Sequence, residues 1–332
     1  MKHVTVLGAS GYLGSAVTRL LLTHKCPVRL VSRTRPDGII RESERSEHVE
    51  ICQVDLRQPD AVENAIRDSD QVICLVADLK NDHSWRRDDD PDAESVDFGV
   101  LERVIEDSRS TLRSRSVLFA STAALSRPST AETRTPYELC KQRGERALLD
   151  ATTEGVVCGA SLRFASLVGV PHGGSEPGPG AVRVFAERAL AGLPIELWTS
   201  GDVRRNLLQV DDAAAAVLAG LQHVGRVAAG TWDVGALDGT PLAEIAALVT
   251  DAAARVTGQP PTPIVQVNPP PTAAAHDLAD GALDVSRFQA ATNWAPQRDV
   301  AEAIDETVAA LANTSTPTAG DLPVAPVGKD IG

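Results

Sequence analysis

Three closely spaced glycines near the start of the chain limit the folds that it can adopt. They lie in Gly8-Ala9-Ser10-Gly11-Tyr12-Leu13-Gly14, after the apolar run Val4-Thr5-Val6-Leu7 and before a helical pattern from about Ser15 to Leu22. Glycines at a strand-to-helix turn let the backbone approach a pyrophosphate, which rests on the helix N-terminus. The segment therefore predicts a dinucleotide-binding turn, whose cofactor contacts are Gly8, Ser10, Gly11, Tyr12, Leu13 and Gly14.

Strand and helix patterns alternate through the first half of the chain. The expected strands after the first are 28–31, 49–54, 71–77, 116–120 and 157–164, and the expected helices after the first are 61–67, 96–106 and 137–151. Such alternation is typical of a parallel, doubly wound sheet with right-handed crossovers. We therefore predict an α/β protein with a Rossmann-type domain over residues 1–165.

The second half is less regular and predicts a smaller α/β subdomain over residues 166–312, partly interleaved with the first domain. Its expected elements are a strand at 195–198 and helices at 182–191, 212–221, 242–257 and 300–311, the second of them capped by an aspartate. Residues 313–332 are rich in Thr, Pro, Gly and Ala, which predicts a disordered tail.

Charge and composition exclude several classes of function. The chain of 332 residues carries a net charge of -13, which argues against binding nucleic acid. No segment reaches the roughly 18 apolar residues that a membrane span needs, and the N-terminus has no signal-peptide pattern, so we expect a cytoplasmic protein. The seven histidines and five cysteines show no H-x-x-x-H or C-x-x-C spacing, so we expect no metal.

The residues that follow the second strand bear on the choice of cofactor. An acidic residue there binds the ribose 2′-hydroxyl of NAD, whereas arginine accommodates the phosphate of NADP. The sequence is Ser32-Arg33-Thr34-Arg35, without an acid, and favours NADP(H). Asp55 is expected beside the adenine, although it also fits a simple loop cap. The further predicted cofactor contacts are Ser32, Arg33, Arg35, Leu56, Val76 and Ala77.

Tyr137 and Lys141 form the pair that is best suited to acid–base chemistry. The chain has only two tyrosines and five lysines, so Tyr137 and Lys141 are not examples of residue types that are common on its surface. A spacing of four places both side chains on one helical face. An ammonium group lowers the pKa of a neighbouring phenol from its reference value near ~10. The pair therefore predicts a proton donor for carbonyl reduction, against the simpler interpretation of a surface pair.

With Ala120-Ser121-Thr122-Ala123-Ala124 after the fifth strand, the chain resembles the extended short-chain dehydrogenase/reductase family, in its nucleotide-sugar branch, up to about Leu311. The resemblance implies that Thr122, rather than Ser121, hydrogen-bonds the substrate oxygen. It also implies that Tyr137 transfers the proton and that Lys141 holds the nicotinamide ribose. The alternative is that the two hydroxyls only cap a turn.

The resemblance extends to the substrate side. Arg205-Asn206-Leu207-Leu208-Gln209-Val210-Asp211-Asp212 is similar to the family segment whose arginine grips the nucleotide diphosphate. Trp198 falls where an aromatic commonly covers the base, although it also fits a core strand. Ser166 stands where the family usually has an asparagine. The substrate residues implied are Trp85, Arg86, Ser166, Glu196, Trp198, Arg205 and Arg287.

Residues that are missing from these motifs argue against some of the reactions that the family catalyses. Dehydratases of the family need an Asp-Glu pair where this chain has Ala123-Ala124, and Arg33 fits poorly with a tightly retained NAD. In residues 8–17, Thr135-Pro136-Tyr137 and Arg204-Arg205-Asn206-Leu207, the chain resembles the NDP-4-keto-6-deoxyhexose 4-ketoreductases of antibiotic deoxysugar biosynthesis. This resemblance implies NADPH-dependent reduction of the C4 ketone of a TDP-sugar.

Other interpretations of the motifs stay open. They are an NAD-dependent nucleotide-sugar 4-epimerase, a non-catalytic NADP-binding regulator, and a reductase of a C3 keto-sugar or a non-sugar ketone. The family also implies a homodimer through a four-helix interface, with the helix that carries Tyr137 and the helix near Val96.

Overall fold

A seven-stranded parallel sheet organises the structure, a computed structural model that describes residues 3–35, 48–77, 91–127, 134–174, 176–270, 273, 278–281 and 283–314. The strands are β1 (Val4–Leu7), β2 (Val28–Ser32), β3 (Val49–Gln53), β4 (Gln71–Cys74), β5 (Arg115–Thr122), β6 (Val157–Phe164), β7 (Ser166–Val168), β8 (Ile195–Leu197), β9 (Arg204–Arg205), β10 (Leu207–Gln209), β11 (Thr231–Val234), β12 (Thr240–Pro241) and β13 (Ile264–Gln266).

The helices cover both faces of this sheet and build the remainder of the structure. They are α1 (Tyr12–Thr23), α2 (Ala61–Ile66), α3 (Pro91–Asp97), α4 (Gly99–Ser110), α5 (Pro136–Thr153), α6 (Ala181–Leu190), α7 (Val210–Gln222), α8 (Val224–Val227), α9 (Leu242–Thr257), α10 (Ser286–Thr292) and α11 (Val300–Asn313). Among the described residues, no helix is long and apolar enough to cross a membrane.

The strand order of the main sheet is β11-β6-β5-β4-β1-β2-β3, and all its pairs are parallel. The order reverses beside β1, because β2 and β4 flank it on opposite sides. A crevice forms at the carboxyl ends of strands at such a reversal, and ligands of open α/β sheets bind there. The predicted doubly wound, Rossmann-type fold is confirmed.

Three clusters of buried apolar residues stabilise these layers. Two of them lie on opposite faces of the main sheet, one beneath α1 and α7 and the other beneath α2, α4 and α5. The third joins α6, α9 and α11 and uses residues between Val168 and Leu311. This third cluster is drawn from the region predicted as the smaller subdomain, while the boundary at residue 165 stays a prediction.

Several predicted elements differ from the observed ones. The helix expected at 96–106 is two helices, α3 and α4, which meet at Phe98. The strand expected to reach Ala77 ends at Cys74. The cap of α7 is not an aspartate, because the Gln209 side chain accepts the backbone N–H groups of Asp211 and Asp212. The sequence prediction also missed β11, the seventh strand of the sheet.

Asp212 instead ties α7 to the segment before α11. Its buried carboxylate accepts the backbone N–H groups of Gln297 and Arg298 at 2.9 and 2.8 Å. A carboxylate with two backbone donors in a buried position stabilises the connection that it bridges. The residue therefore has a structural role in joining two parts of the fold.

Candidate active site

A cleft of about 1110 Å³ lies at the carboxyl ends of the sheet strands, between the sheet and the third apolar cluster. Its walls include the turns after β1 to β5, the start of α5, and parts of α6, β7 and β8. The predicted site residues that line it are Gly8, Ser10, Gly11, Tyr12, Leu13, Ser32, Arg33, Asp55, Leu56, Val76, Ala77, Thr122, Tyr137, Lys141, Ser166, Glu196, Trp198 and Arg205.

Close contacts around the glycine turn leave little space for a side chain at Gly8 or Gly14. Gly8 has a φ of 93°, and the Gly11 N–H donates to the Gly8 carbonyl at 3.1 Å. A Cβ on Gly14 would lie 2.0 Å from the Gly8 oxygen, so this third glycine permits α1 to pack on the turn. Gly14 itself does not line the cleft. The structure thus gives Gly14 a packing role, and its direct contact with the cofactor stays a prediction.

The beginning of α1 fits an anionic group. Within the described chain no side chain caps this helix, and its first turn carries no acidic residue. The first N–H groups of a helix and its positive dipole end bind phosphate groups well. Because Gly11, Tyr12 and Leu13 line the cleft, the turn fits a dinucleotide pyrophosphate.

Arg33 and Asp55 follow the carboxyl ends of β2 and β3 and line the same cleft as the glycine turn. Arg33 is exposed, and the two described residues that follow it, Thr34 and Arg35, carry no carboxylate. Asp55 binds the Arg57 guanidinium at 2.6 Å and accepts the Arg57 backbone N–H at 3.0 Å, and this pairing lowers the pKa of Asp55 to about 2. Asp55 therefore caps its loop and also lines the cleft. Arg35 does not line the cleft.

The start of α5 places Tyr137 and Lys141. Thr135 and Glu138 form a reciprocal capping box, and Pro136 occupies the first turn, so the helix begins at a fixed point. Lys141 is 2% exposed. Its Nζ lies 5.6 Å from the centre of the Tyr137 ring, 4.7 Å from that of Phe119, and 3.5 Å from the Val76 carbonyl oxygen.

The two neighbouring hydroxyls at the end of β5 have different partners. Thr122 Oγ1 accepts the Ala124 N–H at 3.3 Å and caps a 3-10 turn over Ala123–Ser126. Ser121 Oγ donates to a carboxylate oxygen of Glu145 at 2.6 Å. Both residues line the cleft, and they differ in that the Thr122 hydroxyl accepts a backbone N–H of the turn whereas the Ser121 hydroxyl donates to a buried carboxylate.

The sequence prediction missed two arginines on the substrate side of the cleft, Arg188 and Arg183. Arg188 donates to Glu196 at 2.7 Å and to the Pro194 carbonyl oxygen at 2.7 Å. Arg183 donates to Glu187 at 2.8 Å. Both side chains belong to α6 and lie in no sequence motif. The signal that could have revealed them is the helical periodicity of α6, which shows which of its residues face away from the third apolar cluster.

One predicted substrate residue, Arg287, is not brought to the cleft, and two others cannot be placed. The Arg287 guanidinium lies 5.2 Å from the centre of the Trp232 ring and does not line the cleft, because α10 packs against β11 at the edge of the sheet. Trp85 and Arg86 lie outside the described residues.

The Tyr12 side chain connects the glycine turn to the opposite wall. Its hydroxyl donates to the Gly169 carbonyl oxygen at 2.7 Å. A Cβ on Gly178 would lie 2.2 Å from the Tyr12 ring, so the ring and the backbone of that loop are in close contact. Burial raises the pKa of the Tyr12 phenol, which keeps its proton in this hydrogen bond.

The described residues contain no group of His, Cys, Asp or Glu side chains that could hold a metal ion, and the five cysteines are free thiols. The three predicted catalytic residues, Tyr137, Lys141 and Thr122, all line the cleft.

A parallel sheet with this strand order, a glycine turn at the reversal and a Tyr–Lys pair beside it define a dinucleotide-binding α/β protein of the short-chain dehydrogenase/reductase type. The sequence model of the NAD dependent epimerase/dehydratase family matches residues 4–235, and the chain belongs to this family. A comparison with curated protein sequences gave no significant match.

Solved structures with the same fold include three nucleotide-sugar epimerases. The UDP-glucose 4-epimerase of Thermotoga maritima, solved with UDP-glucose, is 18% identical with a TM-score of 0.72, over 94% of this chain and 99% of that chain. The UDP-glucuronic acid 4-epimerase of Bacillus cereus, solved with UDP-glucuronic acid and NAD, is 16% identical with a TM-score of 0.75, over 94% and 99%. The UDP-glucose 4-epimerase of Thermus thermophilus, solved with NAD, is 24% identical with a TM-score of 0.69, over 93% and 98%. At these identities the likeness shows a shared fold.

Proposed function

We propose that the protein reduces the C4 ketone of a TDP-4-keto-6-deoxyhexose with NADPH. The observation that carries the proposal is the placement of Tyr137 on the cleft with the buried Lys141 ammonium 5.6 Å from its ring. The glycine turn, whose fit to a pyrophosphate rests on Gly14 and the uncapped start of α1, supports a dinucleotide cofactor. The bound cofactor would supply a hydride to the ketone carbon.

Side chains of the protein would stabilise the negative charge that develops on the ketone oxygen. Thr122 donates a hydrogen bond to that oxygen and polarises the carbonyl. Tyr137 gives its phenolic proton to the same oxygen, which prevents an alkoxide from building up. Lys141 stabilises the phenolate that is left, because its charge is only 2% exposed and is poorly screened by water.

The cleft favours reduction over dehydration. Eliminating water from the sugar needs an acid and a base next to Thr122, and the neighbouring wall residues are Ala123 and Ala124, which do not titrate. The second candidate is nucleotide-sugar 4-epimerisation, which the family and the three epimerase structures favour.

Incubation with TDP-4-keto-6-deoxyglucose and NADPH tests the proposal. We expect loss of NADPH absorbance equal in moles to the sugar consumed, and an NMR spectrum of a product with a new C4 carbinol proton. An epimerase would instead retain NAD through purification and interconvert UDP-glucose and its C4 epimer without added cofactor. That result, with no NADPH oxidation, would replace the first candidate with the second.

Arg33→Asp is expected to change the choice of cofactor. Losing a charge-assisted contact with the 2′-phosphate should raise the KM for NADPH by about tenfold or more, since ~1.4 kcal/mol is a factor of ten, and should change the KM for NADH little. Steady-state kinetics with both cofactors measure this. Arg35→Asp, two residues further on and outside the cleft lining, should have the smaller effect. Equal effects of Arg33→Asp on the two cofactors would contradict the choice of NADPH.

Glu196→Gln is expected to weaken binding of TDP. Glu196 and Arg188 offer an acceptor and donors beside the Trp198 indole, and this set matches the imide edge and the flat face of thymine. Removing the charged acceptor should weaken TDP about fivefold to tenfold, measured by calorimetric titration. Glu187→Gln is the matched control, because Glu187 pairs with Arg183 and does not line the cleft. TDP affinity that is unchanged in Glu196→Gln would remove Glu196 from the base site.

A further inference from the structure

A chain of polar side chains connects β5, α5 and β6, starting at Ser121 on the cleft wall and continuing through the buried Glu145 to the partly exposed Arg163. The Ser121 hydroxyl donates to Glu145 at 2.6 Å. Arg163 donates to both carboxylate oxygens of Glu145, at 2.8 and 2.7 Å. The Glu145 side chain is 7% exposed, so the carboxylate depends on these donors for its stability.

The chain of contacts joins the elements that carry the proposed catalytic groups. Glu145 lies four residues after Lys141 and eight after Tyr137, on the same face of α5. Ser121 directly precedes Thr122 in β5. The Ser121–Glu145 hydrogen bond therefore links the helix of Tyr137 and Lys141 to the strand end that carries Thr122.

Close packing of α5 on β5 makes this link short. A Cβ on Gly144 would lie 2.7 Å from the Phe119 ring, so glycine allows the helix to approach the strand. Phe119 also contacts the Lys141 ammonium, at 4.7 Å from the ring centre. A shift of the strand end relative to the helix would disturb both contacts.

The same network holds the far end of the turn that Thr122 caps. Arg163 donates to Ser126 at 3.4 Å, and the Ser126 hydroxyl donates to Asp233 in β11. Ser126 is the last residue of the 3-10 turn over Ala123–Ser126. The turn is thus fixed at its start by Ser121 and Thr122 and at its end by Ser126.

We infer that Glu145, held by Arg163, is a positioning residue that fixes the Thr122 hydroxyl relative to Tyr137 through Ser121. Arg163 neutralises the buried carboxylate, and the carboxylate orients Ser121. The inference depends on the proposed function in one respect, which is that Thr122 and Tyr137 contact the same carbonyl oxygen of the substrate. Neither Glu145 nor Arg163 needs to touch the substrate.

Ser121→Ala in the full chain is the first test, because it removes one hydroxyl and leaves the Glu145–Arg163 pair intact. We expect kcat for the keto-sugar to fall about tenfold, since small displacements of positioned groups slow the chemical step. The KM for NADPH should stay at its wild-type value, and the melting temperature should fall only slightly, because Glu145 loses one donor and keeps both from Arg163. Glu145→Gln should lower kcat as much and also lower the melting temperature, because Arg163 loses its partner.

The double variant Ser121→Ala/Glu145→Gln should lose no more kcat than either single variant, because the two residues act through one link. Asp150→Asn is the matched control, since Asp150 forms an exposed pair with Arg146 on the same helix, and it should change neither kcat nor stability. Additive losses in the double variant, or a raised KM for the ketone at unchanged kcat, would show that Ser121 contacts the substrate directly and overturn the inference.

A readout without turnover separates this inference from the proposed function. The Thr122 methyl NMR signal of the free protein should be single in the wild type and Asp150→Asn, and split or broadened in Ser121→Ala and Glu145→Gln. A sharp, unshifted Thr122 signal in both variants would overturn the inference even if the enzyme reduces the keto-sugar. If the wild type did not oxidise NADPH, the proposed function would be wrong, and the Thr122 methyl signal would still show whether Glu145 and Ser121 position Thr122.

Discussion

Tyr137→Phe should lower kcat by on the order of 10²–10⁴, the usual contribution of a positioned general acid, and leave NADPH affinity within about twofold. The variant removes only the phenolic oxygen, so the ring keeps its position next to the buried Lys141 ammonium. Single-turnover rates measure the chemical step, and quenching of protein fluorescence by NADPH measures the affinity.

The chain provides a matched comparison in its only other tyrosine. Tyr12→Phe removes the hydroxyl that donates to Gly169, and its main effect should be a loss of about 1 kcal/mol in the free energy of unfolding. Its fall in kcat should be much smaller than that of Tyr137→Phe. If Tyr137→Phe kept half of the wild-type kcat, Tyr137 would not be the proton donor.

Gly14→Ala should abolish tight NADPH binding and destabilise the fold by about 1–3 kcal/mol, the usual cost of overpacking. The new Cβ would lie 2.0 Å from the Gly8 oxygen and 2.9 Å from the Gly8 carbonyl carbon, and both are backbone atoms that no rotamer change can move. The glycine turn must then open, which withdraws the start of α1 from the pyrophosphate. Thermal unfolding with and without NADPH measures both effects.

Gly225→Ala is the control for this glycine, because a Cβ there has nothing within 4 Å. It lies in α8, so alanine should leave stability equal to the wild type or slightly higher. A Gly14→Ala variant that NADPH stabilises as much as the wild type would show that the turn does not bind the cofactor.

The strands of the sheet's first half were predictable because their signal is local. Val4–Leu7 is buried throughout and Val157–Phe164 at six of its eight residues, and such nearly continuous burial is the usual pattern for parallel strands. The strand β11 was not predictable, since its four residues are mostly half-buried and follow no apolar run. The break between α3 and α4 at Phe98 is marked only by the single Gly99 that follows it, and an isolated glycine is also tolerated inside a continuous helix.

The candidate site was predictable where a motif follows directly from a strand end. The glycine turn and Thr122 are of this kind. The Tyr137–Lys141 pair was predictable instead from its spacing of four residues on one helix, and it lines the same cleft. Side chains whose meaning depends on tertiary packing were not predictable. Arg163 and Glu145 lie 18 residues apart in sequence and meet only because α5 packs on β6. Arg287 illustrates the converse, since its packing on Trp232 keeps it from the cleft.

The Tyr12 contact restricts how the cleft can adapt to its substrates. Tyr12 belongs to the glycine turn, yet its hydroxyl holds the backbone after β7 and its ring lies against Gly178. Spreading the two walls by a hinge motion would break the hydrogen bond and separate the ring from the loop. We therefore expect differences between substrates to be met more readily by rearranging side chains along the rim than by moving the two walls apart. Engineering a new specificity should accordingly begin with rim residues and keep Tyr12 unchanged.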